Sequence, residues 1–288
     1  MKNGFPMGGA AATERPFDDA VALARPAGGA PGQYVGRTSP AYANMVGPFG
    51  GITAAQALQA IWLHPDRLGE PVAFTGNFAA ALADGEFTID AQPVRTNRST
   101  QHWVLTTRQR DAEGRDSVVY TATAMTALRR DTWRATDAVM PDAPAPESVP
   151  PTRRVKRPAW LDRYDMRWFA GAMPLEWNGA EGEDSVTRLW VRDEPPRALD
   201  FASLTALCDV FFPRVWLRRA RMTPIGTVSM TVYFHASAAD LAAAGTGHLL
   251  GQARGHAFHD GYFDQSAEMW SAAGRLLATT HQVVYYKE

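Results

Sequence analysis

The chain has 288 residues, 45% of them apolar, and its 29 basic residues nearly balance 30 acidic ones. A net charge of −1 argues against a general nucleic-acid binder, which usually carries a basic excess. The single cysteine, Cys208, excludes an intramolecular disulfide. Because the sequence shows neither a signal-like apolar segment at its start nor an apolar run of about 20 residues, we predict a cytoplasmic protein without a membrane span.

The first half contains one predicted helix and several predicted strands. A strand-like segment at 32–44 comes first, and the helix begins near Gly50 and Gly51. Apolar residues recur there at helical spacing, namely Ala54, Ala57, Leu58 and Ile61. Alternating or β-branched segments typical of strands follow at 86–92, 103–110 and 117–128.

A proline-dense and then basic segment, 141–158, lies near the midpoint of the chain. Such a composition favours an extended connection over a helix or a central strand. We therefore predict an N-terminal unit at 1–140, a linker at 141–158 and a C-terminal unit at 159–288. The linker's basic residues are interpreted as a solvated charge run, with anion binding as the alternative; they are Arg153, Arg154, Lys156 and Arg157.

The second half repeats the pattern of the first. A strand-like segment at 185–193 precedes Asp200, a favourable N-cap residue. The predicted helix carries Phe201, Leu204, Thr205 and Cys208 on one stripe, and Pro213 lies where it should end or kink. Strand-like segments follow at 227–235, 251–258, 261–270 and 275–286.

Each half is thus a helix followed by an antiparallel meander, which indicates an α+β arrangement. Two such units could pair their sheets into one continuous sheet and so remove an exposed edge. One residue does not fit a plain core: Asp209 lies within the apolar run LTALCDVFFP.

Several strings resemble the double hot-dog acyl-CoA thioesterases of the thioesterase II type. They are GPFGG, PVAFTGNF and PVRTNRST in the first half and LCDVFF, TVSMTVYFH and DQSAEMWSAAGRLLATTHQ in the second. In this order and spacing they cover the chain from about Gly47 to Tyr286. The resemblance implies a double hot-dog fold, in which two helix-wrapped antiparallel sheet units join into one continuous sheet. It also implies an acyl-CoA substrate, no cofactor and assembly into a homo-oligomer.

The resemblance also implies a catalytic trio, Asp209, Thr227 and Gln282, that holds the hydrolytic water. Two positions depart from the family pattern. Ser229-Met230 stands where family members carry a histidine, and Asn97 replaces a usual glycine.

The chemistry expected of the trio is hydrolysis with Asp209 as general base. Partial desolvation in the apolar run should raise its pKa toward neutrality. Backbone N–H groups at Gly50 and Gly51 could stabilise the oxyanion at a helix N-terminus. Arg95 and Arg98 could contact the coenzyme A phosphates or simply face solvent.

The internal repeat places the trio in one half only. When 275–286 is aligned with 117–128, Gln282 falls at Ala124, and Thr227 falls near Pro71. A purely structural trio would more naturally occur in both halves, so one water site per chain is the simpler interpretation.

Two other functions stay open at this point. A hot-dog enoyl-CoA hydratase or dehydratase would need a histidine beside the aspartate, and His235 and His281 are the histidines near the second-half motifs. A non-catalytic protein that binds acyl-CoA or an acyl carrier is the other alternative.

Two further features favour structural interpretations. Cys208 is expected to be a buried, inert thiol. In a strand, His256 and His259 would point to opposite faces, so that segment, with Asp260 and Asp264, is not expected to hold a metal.

Overall fold

The computed structural model describes residues 15–111, 113–152 and 157–288. The strands of this part are β1 (Gln33–Arg37), β2 (Glu70–Phe78), β3 (Glu86–Thr96), β4 (Thr100–Arg110), β5 (Asp116–Ala127), β6 (Tyr164–Ala170), β7 (Thr187–Asp193), β8 (Ile225–Phe234), β9 (Leu249–Arg254), β10 (Phe258–His259), β11 (Tyr262–Ser271) and β12 (Leu276–Tyr286). The α-helices are α1 (Pro16–Ala20), α2 (Gly50–Trp62), α3 (Phe201–Leu207), α4 (Arg214–Arg219) and α5 (Ala238–Ala244). No helix in these ranges is long and apolar enough to cross a membrane.

The strands form one antiparallel sheet in the order β1-β3-β4-β5-β2-β8-β12-β11-β9-β7-β6, with β10 paired to β11. The two halves meet where β2 pairs with β8, and at this seam Thr75 Oγ1 lies 3.0 Å from Thr231 Oγ1. The predicted continuous sheet of two helix-wrapped units, the double hot-dog fold, is confirmed. Pairing β2 with β8 converts what would be two exposed edges into the centre of the sheet.

Helix α2 is buried around nearly its whole circumference, because the sheet wraps it and α3 packs against it. Its alanines allow this close packing, and Gly51 allows the closest approach. A Cβ atom at Gly51 would lie only 2.7 Å from the carbonyl oxygen of Ala206 in the last turn of α3.

Helix α3 begins as predicted, because the Asp200 side chain caps it by accepting from the Ser203 backbone N–H at 2.8 Å. It ends earlier than the apolar stripe suggested, at Leu207. The chain tightens there into hydrogen bonds that span three residues instead of four, from Asp209 N to Ala206 O and from Val210 N to Leu207 O. Asp209, predicted on the helix, therefore lies in the turn that follows it.

The described part of the linker packs on the outer face of the C-terminal sheet and does not project into solvent. Trp190 Nε1 donates to Pro144 O at 2.8 Å, and Val149 packs in a small apolar cluster with Trp190, Leu250 and Trp270. The basic residues Arg153, Arg154 and Lys156 lie outside the described residues. The unit boundaries, the homo-oligomer and the cytoplasmic location stay predictions.

Candidate active site

A cavity of about 440 Å³ lies where the two halves meet, and both halves line it. The first half contributes the start of α2 and the adjoining ends of β2 and β5. The second contributes the turn after α3 and residues of β8, β11 and β12. Aromatic and aliphatic side chains make up most of the wall, among them Phe49, Phe78, Leu82, Trp160, Phe211 and Trp216.

Asp209 faces this cavity from the turn after α3. Gln282 on β12 donates to it, with Gln282 Nε2 2.7 Å from Asp209 Oδ1. The first turn of α2 also lies against the carboxylate, since a Cβ atom added at Gly50 would lie 2.8 Å from Asp209 Oδ2. The carboxylate therefore lies between an amide on one half and a helix N-terminus on the other.

Burial raises the pKa of Asp209 to about 7. Hydrogen bonds from the Gln282 side chain and the Gly51 backbone oppose this rise, because they stabilise the charged form. Asp209 is half-buried, since the carboxylate touches the cavity and protein surrounds it on its other sides. A carboxyl group that titrates near neutrality can exchange protons with a substrate or a water at physiological pH.

Thr227 lines the same cavity because of an irregularity in β8. Strict alternation from the buried Met230 would point Val228 inward and Thr227 outward. A β-bulge leaves Val228 without a partner, because Val283 pairs with Ser229 and Val284 pairs with Thr227. The bulge reverses the alternation, as bulges beside sites often do. Among the hydrogen bonds of the described residues, none joins Thr227 directly to Asp209 or Gln282.

Sequence reasoning missed several polar residues of the cavity, of which Gln265 and Tyr120 lie nearest to the proposed chemistry. Gln265 pairs with Gln282 across β11 and β12 and is buried on the same face. A signal for it existed, because it interrupts the apolar face formed by Phe263 and Ala267. Tyr120 on β5 also lines the cavity, but nothing in its local sequence separates it from an ordinary core tyrosine.

The hydroxyl of Tyr120 is buried and has no hydrogen-bond partner among the described residues. Gly76 on the neighbouring strand provides its space, since any Cβ atom there would collide with the hydroxyl oxygen. Burial raises the pKa of Tyr120 far above its usual value, and the charge of Asp209 adds to the rise. The phenol therefore stays protonated, and its hydroxyl is a buried donor beside the cavity.

The other predicted residues fall in different places. Gly50 lines the cavity, and the Gly51 N–H already acts on Asp209. Arg95 and Arg98 are exposed near the turn between β3 and β4 and do not line the cavity. Arg157 of the linker does line it, paired with Asp162.

The histidines that a hydratase would need lie elsewhere. His235 bonds to Thr279 at 3.0 Å, and His281 points to the outer face of the sheet, opposite to Gln282. No histidine of the described residues lines the cavity. Cys208 is fully buried, and burial raises the pKa of its thiol well above the usual value, so it is not an available nucleophile.

Comparison with protein families gives matches to both halves. Residues 39–127 match the acyl-CoA thioesterase N-terminal domain, and residues 138–286 match the acyl-CoA thioesterase C-terminal domain. The comparison with curated proteins gives no match.

Among solved structures, the chain is 49% identical to a conserved protein of unknown function with a hot dog fold from Alicyclobacillus acidocaldarius. That alignment covers 94% of this chain and 98% of the other, with a TM-score of 0.87. A Thermobifida fusca protein proposed to be a thioesterase II is 20% identical, with 94% and 97% covered and a TM-score of 0.77. The tesB protein of Mycobacterium avium subspecies paratuberculosis is 19% identical, with 94% and 98% covered and a TM-score of 0.72.

The last two similarities show the shared fold, whereas the two matched domains cover both halves of the chain and the whole cavity between them. The chain belongs to the acyl-CoA thioesterase family of thioester hydrolases, as its motifs predicted.

Proposed function

We propose that the protein hydrolyses an acyl-CoA thioester to a free acid and coenzyme A, with Asp209 as the general base. One observation carries the proposal. A carboxylate whose pKa lies near 7 faces an apolar cavity and is held by Gln282 and the N-terminus of α2. A base of this pKa is well matched to proton transfer near neutral pH.

In the proposed reaction, Asp209 takes a proton from a water as the water oxygen attacks the thioester carbonyl carbon. Thr227 and Gln282 can each accept from and donate to that water, which fixes its position. The carbonyl oxygen becomes an oxyanion. When the tetrahedral intermediate collapses, the carbon–sulfur bond breaks, and the proton held by Asp209 passes to the departing thiolate.

The oxyanion is proposed to bind the first N–H groups of α2, at Gly50 and Gly51. The positive end of the helix dipole stabilises negative charge there. Because the Gly51 N–H also lowers the pKa of Asp209, the substrate carbonyl would share this helix end with the carboxylate. Tyr120, whose buried hydroxyl lies beside this cavity without a partner among the described residues, is a further candidate donor.

The cavity wall supports an apolar acyl group as substrate. Coenzyme A also carries phosphates, and Arg157 is the cationic side chain of the described residues that lines the cavity. We propose that Arg157, rather than Arg95 or Arg98, lies nearest to the bound coenzyme.

The first experiment is hydrolysis of an acyl-CoA panel, followed with a thiol-detecting reagent, by the wild type and Asp209→Asn. Asp209→Asn should lower kcat by about 100-fold or more, because general acid–base catalysis contributes on the order of 10²–10⁴-fold. Asp260→Asn is the control, since Asp260 is exposed and lies outside the cavity.

Unchanged hydrolysis by Asp209→Asn would refute the assigned base. If the wild type binds acyl-CoA but hydrolyses none of the panel, the protein is instead a binding protein. Hydration of crotonyl-CoA that depends on His235 or His281 would favour the hydratase alternative.

A further inference from the structure

Three potential metal ligands converge on the outer face of the sheet, behind the strands that carry Gln265 and Gln282. Asp264 Oδ2 lies 2.7 Å from His256 Nδ1 and 3.0 Å from His281 Nε2. The three ligand atoms all lie within 4.8 Å of one another. They come from three separate segments, namely the loop before β10, strand β11 and strand β12.

Local structure explains why sequence reasoning did not find this group. His256 was expected in a strand, where His259 would point to the opposite face. It lies instead in the loop between β9 and β10, and His259 turns away to pair with Asp260. His281 joins the group through the sheet register, because its direct partner, Ser266, is two residues from Asp264 on β11.

The carboxylate is oriented by bonds that leave one oxygen for a ligand. Asp264 Oδ1 accepts from the backbone N–H groups of His256 and Ala257, both at 2.9 Å. These bonds fix the loop that carries His256 and point Oδ2 toward both imidazoles. Metal sites depend on such surrounding bonds to set the direction of their ligands.

We propose that His256, Asp264 and His281 form a binding site for a divalent first-row transition-metal ion such as Zn²⁺. Two imidazoles and one carboxylate are a ligand set that such ions favour. Without a metal, an N–H group of each imidazole can donate to Asp264 Oδ2. A bound cation would take the place of these two protons, and each ring nitrogen would become a ligand.

The site is open on its solvent side. The exposed side-chain fractions are 44% for His256, 22% for Asp264 and 55% for His281. Water or a small anion can therefore complete the coordination of the ion. The site faces away from the cavity, since Asp264 and His281 alternate along their strands with Gln265 and Gln282. The inference does not depend on the proposed hydrolysis.

The test is a titration of the full-length protein with Co²⁺, whose visible absorption reports its coordination, and a competition with Zn²⁺. The wild type should bind one Co²⁺ per chain and release it to Zn²⁺. His256→Asn and His281→Asn should each weaken binding by at least about 100-fold, because even changes to residues that only orient ligands cost about 10–100-fold.

His259→Asn is the matched control, because His259 is equally a surface histidine beside an aspartate but lies outside the group. It should bind Co²⁺ as the wild type does. Circular dichroism of each variant checks that the fold is kept. No Co²⁺ absorption with the wild type, or equal binding by the wild type and His281→Asn, would overturn the proposal. Hydrolysis plays no part in these measurements, so their result is separate from that of the Asp209 experiment.

Discussion

The two halves of the sheet have equivalent strands and bulges. They differ in the side chains at the bulges, on the last strand and at the start of the long helix. Val72 in β2 and Val228 in β8 are the unpaired residues of equivalent bulges. Three residues beyond each bulge, Thr75 and Thr231 face one another across the seam. The seam is thus the axis of an approximate two-fold symmetry between the halves.

This symmetry identifies the counterparts of the proposed catalytic trio. Thr227, just before the bulge in β8, corresponds to Pro71 just before the bulge in β2. Gln282 corresponds to Ala124, as the sequence alignment of the two halves indicated. Neither proline nor alanine carries a side chain that can bind a water.

The counterpart of the cavity is filled with aromatic rings. Gly50, the first residue of α2, corresponds to Phe201, the first residue of α3. The Phe201 ring lies 5.7 Å from the Trp62 ring and 5.6 Å from the Phe234 ring. The two helix starts therefore differ in what they leave open: a glycine leaves space at the N-terminus of α2, and a phenylalanine fills the equivalent space at the N-terminus of α3.

Among changes at the positions that distinguish the two halves, Gly50→Ala is expected to have the largest effect on activity. The new Cβ atom would lie 2.8 Å from Asp209 Oδ2 and 3.4 Å from the Phe78 ring, so the carboxylate must shift. A displacement of about 1 Å at a reacting group can cost about 100-fold, and we expect a loss of that order in kcat/KM. Gly247→Ala, at an exposed glycine away from the cavity, should leave kcat/KM unchanged. Full activity of Gly50→Ala would mean that this helix end does not position Asp209.

The pH dependence of hydrolysis tests the environment of Asp209. A base with a pKa of about 7 must be deprotonated to act, so kcat/KM should fall about 10-fold per pH unit below pH 7 and level off above it. The hydrogen bond from Gln282 stabilises the charged form and lowers the pKa. Gln282→Met should therefore move the midpoint to higher pH, and a pH-independent rate between pH 5 and 8 would contradict the assignment.

A smaller effect is expected from Tyr120→Phe, which removes a hydroxyl that the N-terminal half contributes. One hydrogen bond is worth about 0.5–1.5 kcal/mol, so kcat/KM should fall by up to about 10-fold. Stability should not fall, since the hydroxyl has no partner among the described residues. Tyr164→Phe is the control, because its hydroxyl is also buried and unpartnered there but lies outside the cavity lining. Equal kinetics of both variants would make Tyr120 a packing residue.

The smallest effect on activity is expected at Phe201, which fills the position equivalent to Gly50. Phe201→Ala removes a buried ring, which should lower the free energy of unfolding by about 3–5 kcal/mol in urea denaturation. Well below its melting temperature, the variant should keep kcat/KM within about two-fold of the wild type. A loss as large as that of Gly50→Ala would show that the two positions are not independent.

The sequence by itself determined the elements and their duplication. Helical spacing predicted α2 and the start of α3, alternation predicted most strands, and the motifs indicated the family. The apolar run around Asp209 singled out that carboxylate without a structure, and the resemblance to the thioesterase family added Thr227 and Gln282. Helices α1, α4 and α5 were not predicted, because with 5, 6 and 7 residues they are too short to show helical periodicity. Strands β2 and β6 were not predicted as strands either, although β6 alternates apolar with polar residues.

Tertiary structure decided what those residues face. A bulge turned Thr227 into the cavity against the alternation of its strand, and the early end of α3 put Asp209 in a turn. Tyr120 and Asp209 line one cavity only because the two halves pack together, and His281 meets Asp264 because β11 and β12 pair in one register. Local sequence fixes the spacing of side chains within one element. Packing between elements sets which side chains meet and how far each is removed from water. Those contacts and that burial decide the chemistry.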